Sequence, residues 1–447
     1  MCVVTWCLAF LPQIALGAPE SVAIVASGEE LGNLEPCGCY EGQLGGIARR
    51  YSFLDFFRKR NTVVLPVSLG DLSRGYGRQE EIKAEVFFRA LEAMGYVAHN
   101  LGEKDVELGP QALSYLSNTG GLVFLSSNVE ITSPFPVKIQ RYVIKECRET
   151  KRPFRVAFLG ILSRSLLGEG TTPDFANVCD PIASIKPIIG LVRGKADLIV
   201  LLSHAPAEES VDIAKAFPEI GLVISGHGKD EPNDSVLSVD TATIVSAGTK
   251  GKYVGAVKYA IRDGGAERKS VEVVPLDRAF KDSLKMVSLL RDYQQSLQDE
   301  GLLTKITPLP LAEGLSYTGS PVCGACHKII YDHWKHTRHG GAYNTLVRGG
   351  QQYDPECVKC HTTGYGYESG FWDYERGRHL VDVGCEACHG AGSGHVKNVN
   401  EVYGFTDENT CLTCHDGEHS PKFQFKEYQE MIKHPEEVLQ KSKNRKP

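Results

Sequence analysis

The residues best placed to do chemistry are cysteines and histidines near the C-terminus, arranged as four pentapeptides. They read CGACH at Cys323–His327, CVKCH at Cys357–His361, CEACH at Cys385–His389 and CLTCH at Cys411–His415. Cys-x-x-Cys-His is the attachment signature of c-type haem, with two thioethers to the porphyrin vinyl groups and an axial imidazole nitrogen on iron. The spacing follows from geometry, because one short turn must set both sulfurs at the ring edge and the imidazole under the metal. A single Cys-x-x-Cys would serve equally as half a zinc site or as a redox dithiol. Four within one segment, each with its histidine, specify a tetrahaem cytochrome. Four covalent haem c groups are therefore expected, held by Cys323 and Cys326, Cys357 and Cys360, Cys385 and Cys388, and Cys411 and Cys414. His327, His361, His389 and His415 are the expected proximal ligands.

The rest of the chain must position and export this chemistry. Its 447 residues leave room for two or three domains, and 42% hydrophobic content is ample for a core. A net charge of -6 offers no basic surface for nucleic acid. Residues 1–18 are apolar and end in small residues, as a secretory signal peptide does, although MCVVTWC lacks the usual positive charge and suits a truncated or misplaced start. No later apolar run is long enough to span a bilayer. Haem c is attached outside the cytoplasm, so a periplasmic or outer-surface location is expected. Outside the leader and the haem motifs lie Cys37, Cys39, Cys147 and Cys179, which allow three disulfide pairings. A Cys37–Cys39 bridge closes a tight, strained ring, which makes Cys147–Cys179 the easier pair.

Organisation changes near residue 280. Before it, short apolar runs (SVAIVAS, TVVLPVS, LVFLSS, RVAFLGI, LIVLLS, GLVIS) alternate with amphipathic stretches such as EIKAEVFFRALEAMG. Buried strands separated by helices predict a layered α/β domain, assigned here to residues 20–278. Residues 279–315 read as a helix and a Pro-bearing linker. From 316 to 447 the strand signal vanishes and helices, Gly-rich turns and haem motifs remain. So small a segment has little side-chain core, so the four macrocycles must serve as core with their edges packed close together.

The ordered blocks EELGNLEP, GGIARR, VVLPVSLGDLSRG, HNLGEKDVELG, SSNV, LLSHAP and ISGHGKD resemble the catalytic domain of 5′-nucleotidases among the calcineurin-like metallophosphoesterases. The resemblance implies a four-layer αββα sandwich with metal ligands on loops after strands. It also implies a damaged two-metal centre. The usual Asp-x-His aligns with Glu29 and Leu31, the usual Asn-His of the GNHE block with Glu103 and Lys104, and the last ligand of the GHx(H/Q) block with Lys229. Asp71, His204 and His227 are in place. Leu31 and Lys229 disfavour one metal position. Asp71, Glu103, His204 and His227 remain as a mixed N/O set for one zinc, manganese or iron ion. An alternative is that Lys104 and Lys229 replace metal charge by pairing with Glu29, Asp71 and Glu103. Two-metal hydrolysis needs both ions, so the domain reads as a pseudoenzyme.

The phrases YTGSPVCGACH, YDHWKHTRHGGAYNTL, CVKCHTTGYG and VGCEACHGAGSGH resemble the tetrahaem cytochrome c-554 family. The resemblance implies a mostly helical domain with three bis-histidine haems and a second haem lacking a distal protein ligand. The distal ligands match His333, His339 and His395, with His336 a neighbour able to substitute for His333. His379, His419 and His434 read as spare surface histidines. The expected function is electron transfer between redox protein donors and acceptors, with the phosphoesterase-like domain as scaffold or docking module. The alternatives are a redox enzyme acting on a small nitrogen or sulfur compound at an open haem, and a redox-linked metallophosphoesterase.

Overall fold

The computed structural model describes residues 20–435 apart from 37–41, 61, 169–172, 229, 233–235, 263–264, 401–402 and 405. The expected signal peptide at residues 1–18, Cys37, Cys39 and Lys229 lie outside the described residues. The chain divides into two compact units. One comprises the described part of Met1–Gly32 with Arg49–Tyr76 and Phe88–Leu276; the other comprises Gly77–Phe87 with the described parts of Asn33–Ala48 and Asp277–Pro447.

The first unit is built on two sheets. Among the described residues the strands run in chain order: β1 Ser21–Ser27, β2 Val63–Ser68, β3 Ala98–Asn100, β4 Val123–Leu125, β5 Val129–Ile131, β6 Ile139–Gln140, β7 Tyr142–Cys147, β8 Phe154–Leu162, β9 Ala176–Val178, β10 Leu198–His204, β11 Leu222–Ser225, β12 Leu237–Val239, β13 Ala242–Ser246, β14 Tyr253–Arg262 and β15 Gly265–Pro275. One sheet has the order β15-β14-β1-β2-β3-β4-β6 and the other β12-β13-β11-β10-β8-β7, while β5 and β9 form a separate ribbon. β1 lies parallel to β2, with Ile24 opposite Leu65, and β10 lies parallel to both β8 and β11. Their sequences are near-continuous apolar runs because both faces of each strand are covered.

Alternation along the strands decides which layer each side chain enters. Ile24, Val67, Phe158, Val200 and Ile224 fill the space between the sheets. Their neighbours Leu159, Leu201 and Val223 point the other way, into a cluster with Ile185, Ile189 and Ile213 of helices Pro181–Val192 and Ala207–Ala216. On the far side, Phe88 of helix Arg78–Ala93 meets Phe124 of β4 edge-on at 5.5 Å. Helix, sheet, sheet and helix give the expected αββα sandwich. Cys147 ends β7 inside the inter-sheet core, and Cys179 follows β9 on the small ribbon. Neither is bridged, so the anticipated Cys147–Cys179 disulfide is absent. Cys147 is instead a buried core thiol, and burial pushes its pKa up to about 11.

The second unit is helical. After helix Leu284–Asp299 the segments are short, and haem motifs occupy Ser320–Cys326, Pro355–His361, Cys385–His389 and the end of Glu408–Leu412. Its side-chain cluster is small: Leu303, Tyr343, Leu346, Val358, Phe371 and Leu380. Buried carboxylates fix the motif helices. Asp354 caps Pro355–His361 by accepting from Glu356 N, and takes bonds from Gln79 Nε2 at 2.9 Å and Tyr293 Oη at 3.0 Å. Glu386, inside the CEACH motif, accepts from the backbone nitrogens of Thr318, Gly319 and Gly392, which ties the third motif to the approach of the first. No helix among the described residues is long and apolar enough to cross a membrane.

Candidate metal and haem sites

Parallel strands that end side by side deliver their following loops to one place. Asp71 comes after β2, Glu103 after β3, His204 ends β10 and His227 follows β11. Their donor atoms all lie within 4.8 Å of one another. His204 Nε2 stands 2.6 Å from Glu103 Oε2, 3.4 Å from Asp71 Oδ2 and 3.0 Å from His227 Nε2, and His227 Nε2 is 3.3 Å from Glu103 Oε2. A tetrahedral ion with bonds of about 2.0–2.1 Å spaces its ligand atoms roughly 3.3 Å apart. The four expected ligands therefore converge at a separation that suits one such ion.

The backbone around the cluster is held in an unusual state. Glu29, Leu31, Asp71 and His227 all have positive φ, between 46° and 58°, which costs a non-glycine residue on the order of 1–2 kcal/mol. Hydrogen bonds over-determine each of them. Glu29 N donates to Gly70 O at 2.9 Å, Leu31 N to Asp71 O at 3.0 Å, and His227 N to the Glu29 carboxylate. Asp71 N donates at 2.7 Å to Asp105, which also accepts from Leu72 N, Gly102 N and His99 Nε2. Gly102 has no room for a side chain, since a Cβ there would fall 2.0 Å from Asp71 Oδ1.

Charge in the cluster is settled by the same contacts. His204 Nδ1 donates to Leu69 O at 2.9 Å while Nε2 faces carboxylates. Burial disfavours its cation, yet Asp71 and Glu103 together hold its pKa well above the ordinary histidine value. Burial pushes Asp71 up to about 6, opposed by His204. Glu103 is held below the usual carboxylate range despite burial, through bonds to His204 and His227. Lys104 Nζ pairs directly with Glu107 at 2.8 Å, while Glu103 and Asp71 also attract its charge without an ion-pair contact.

In the helical unit the expected haem ligands pair across space. The ring centroids of His327 and His395 are 6.3 Å apart and those of His339 and His415 are 6.1 Å apart. Imidazoles bonded to opposite sides of one metal, at about 2 Å per bond, have centroids on the order of 6 Å apart. His389 is 5.9 Å from His434, a residue that reads as spare in the sequence. Three proximal rings are oriented through Nδ1: His361 to Ala342 O at 2.8 Å, His389 to Gly404 O at 2.9 Å, and His415 to Ser420 Oγ at 3.1 Å. Such bonds leave Nε2 for a metal. His395 Nδ1 is buried with no hydrogen-bond partner, the condition of an atom that a metal would satisfy. The donor set thus fits haem. His336 Nδ1 bonds Asp332 O at 2.7 Å, and His419 Nδ1 bonds Asp416 at 2.8 Å. Attachment thiols also meet across motifs, Cys323 with Cys385 and Cys360 with Cys414.

Residues 322–390 match the family model of cytochrome c554 and c-prime. Cytochrome c-554 of Nitrosomonas europaea is 31% identical over 106 residues, covering 20% of this chain and 45% of that protein. The N-terminal region matches a 5′-nucleotidase of Vibrio cholerae at 22% identity over 316 residues, 58% of this chain and 56% of the relative. The chain thus spans about half the length of each of these relatives. Among solved structures, the 5′-nucleotidase precursor of Thermus thermophilus superposes with a TM-score of 0.55 at 18% identity, covering 74% of this chain and 68% of that one. The cytochrome family implies haem c, and the α/β half has the 5′-nucleotidase-like fold. Sequence reasoning missed Asp105, His99, Glu386 and His434. The first two sit in or beside the GEKD block, where a buried acid after a short strand was a usable signal. Nothing local distinguishes Glu386 or His434.

Proposed function

We propose that this chain is an exported tetrahaem c-type cytochrome that relays electrons between redox proteins, with a phosphoesterase-like domain that holds one divalent ion and acts as scaffold or docking module. The observation that carries this reading is the set of histidine pairs at axial-ligand separation in a segment with four attachment motifs. Haem c, when bound, supplies one-electron chemistry at iron. The chain supplies position. Nδ1 bonds fix the proximal rings of His361, His389 and His415. The first attachment site lies near the third and the second near the fourth, which favours short transfers. Paired imidazoles leave little room for substrate at three sites, and this favours relay over catalysis. His361 has no histidine ring paired with it among the described residues, so chemistry on a small nitrogen or sulfur compound, if any, belongs there.

The α/β site supports binding better than hydrolysis. Phosphoester cleavage by two metals needs ions on both the attacking and leaving oxygens. Leu31 stands where one imidazole is required, and Lys104 stands at the catalytic histidine position with its ammonium turned to Glu107. Mass spectrometry of matured protein should show four haem additions that survive acid–acetone extraction, and three or fewer would refute the tetrahaem reading. Nucleotides with added manganese, zinc or magnesium should not turn over at the roughly 1–1000 per second typical of enzymes. Turnover at such rates would replace the scaffold reading with a redox-linked phosphoesterase.

A further inference from the structure

Strands β10 and β11 deliver His204 and His227 at their C-terminal ends and border a cavity at their N-terminal ends. The cavity measures about 590 Å³, and Leu198, Gly221, Thr243, Tyr259 and Arg268 are among the residues that line it. Leu198 opens β10 and His204 closes it, so roughly 20 Å of extended chain separates the cavity from the metal cluster. Tyr259 belongs to the inter-sheet core and is 4% exposed. Its hydroxyl is buried without a hydrogen-bond partner. Burial pushes the phenol up to about 12, opposed by Arg268, so at neutral pH it holds a proton to donate.

A backbone irregularity brings a cation to the same place. On β14 and β15, Lys258 faces Ser270 but Tyr259 faces Arg268, so Lys269 is an extra residue on β15. In unbroken register Arg268 would lie opposite Ala260 and leave by the other side of the sheet. The bulge turns it to the side of Tyr259, and its guanidinium donates across to Thr243 Oγ1 of β13 in the second sheet. That partner is a neutral hydroxyl, and Arg268 makes no ion pair among the described residues. The other arginine of the lining, Arg193, pairs with Glu219 at 3.4 Å. Asp197 accepts from Arg152 Nη1 and from Arg155 N, each at 2.8 Å. An uncompensated guanidinium beside an unpartnered phenol suits an oxyanion, which takes charge-assisted bonds from both. The lining carboxylates of Asp197, Glu219 and Asp240 repel a multiply charged ion more than a singly charged one.

We infer that this cavity binds a small monocarboxylate, with the carboxylate held by the Arg268 guanidinium and the Tyr259 hydroxyl. The site uses neither the haems nor the metal cluster. The test uses the full-length haem-loaded protein and phenylglyoxal, which modifies accessible arginines; peptide mass mapping reads Arg268 separately from the rest. L-lactate at about ten times its Kd should slow modification of Arg268 roughly tenfold, because protection grows as 1 + [L]/Kd. Lactamide, the neutral isostere, should not protect, and inorganic phosphate should protect less than lactate. Tyr259→Phe removes a hydroxyl that makes no bond within the protein, so its melting temperature should not fall. The lactate needed for half protection should rise about tenfold in that variant, the cost of one hydrogen bond to a charged group. No protection by lactate, or equal protection by lactamide, overturns the site. Stronger protection by phosphate overturns the carboxylate assignment, and an unchanged lactate dependence in Tyr259→Phe overturns the two-donor arrangement. The wild-type comparisons decide whatever the variant does to stability.

Discussion

In the α/β unit the candidate ligands Asp71, Glu103, His204 and His227 hang from strands whose cores are already closed, and the backbone nitrogens of Asp71 and His227 donate to the carboxylates of Asp105 and Glu29, which holds their loops. In the helical unit the candidate ligands sit on or just beyond helices of three to eight residues, and the apolar cluster among the described residues is small. Helices that short are not stable by propensity and depend on what they pack against. The first unit makes a site out of a fold that stands without it. The second has only a small side-chain core, which the proposed haems would enlarge.

The largest expected effect breaks this comparison if it fails. Replacing Cys385 and Cys388 with serine in the full chain should leave the helical unit open to limited proteolysis, while the α/β unit survives as a resistant fragment. Equal resistance of both units would show that the helical unit folds on side-chain packing alone. The converse substitution is Phe158→Ala, which empties a fully buried position between the sheets. It should cost about 3–5 kcal/mol and lower the melting temperature of the α/β unit. The haem absorption spectrum should stay unchanged.

A smaller effect sharpens the contrast at the metal cluster. His204 keeps its proton well above the ordinary histidine pKa, because Asp71 and Glu103 outweigh its burial. A metal requires the neutral imidazole, so binding must release that proton. The metal-free form is therefore favoured as pH falls, and affinity should rise about tenfold per pH unit while one proton is displaced. Zinc titrations at several pH values measure this, and a flat profile would exclude His204 as a ligand. The smallest effect concerns Cys147. It is buried and unbridged, so a thiol reagent should reach it only after unfolding, whereas the half-exposed Cys179 should react in the native protein.

Much of this was legible in the residues themselves. Four attachment motifs are local chemistry, complete within five residues each, and no fold is needed to read them. The apolar runs SVAIVAS and LIVLLS announced buried strands because a strand covered on both faces has no polar positions to show. Their burial also made the α/β layering predictable. The candidate metal ligands were named in advance because the blocks that carry them resemble those of 5′-nucleotidases, a resemblance that implies ligands on loops after strands.

What the sequence determined by itself was therefore which residues are candidates for chemistry and which segments form strands or helices. Which donor faces which was decided only by tertiary structure. His204 and Glu103 are 101 residues apart, yet 2.6 Å separates their donor atoms. Lys104, adjacent to Glu103, turns away to Glu107. Cys147 and Cys179 could pair on paper, but one entered the inter-sheet core and the other a surface ribbon. His434 sits opposite His389 because Phe423 and Tyr428 fix the last helix on His415. The physical reason is common to all four cases. A local pattern records the period of burial and the geometry of a short turn, whereas pairing across long separations is settled by how whole layers and helices pack.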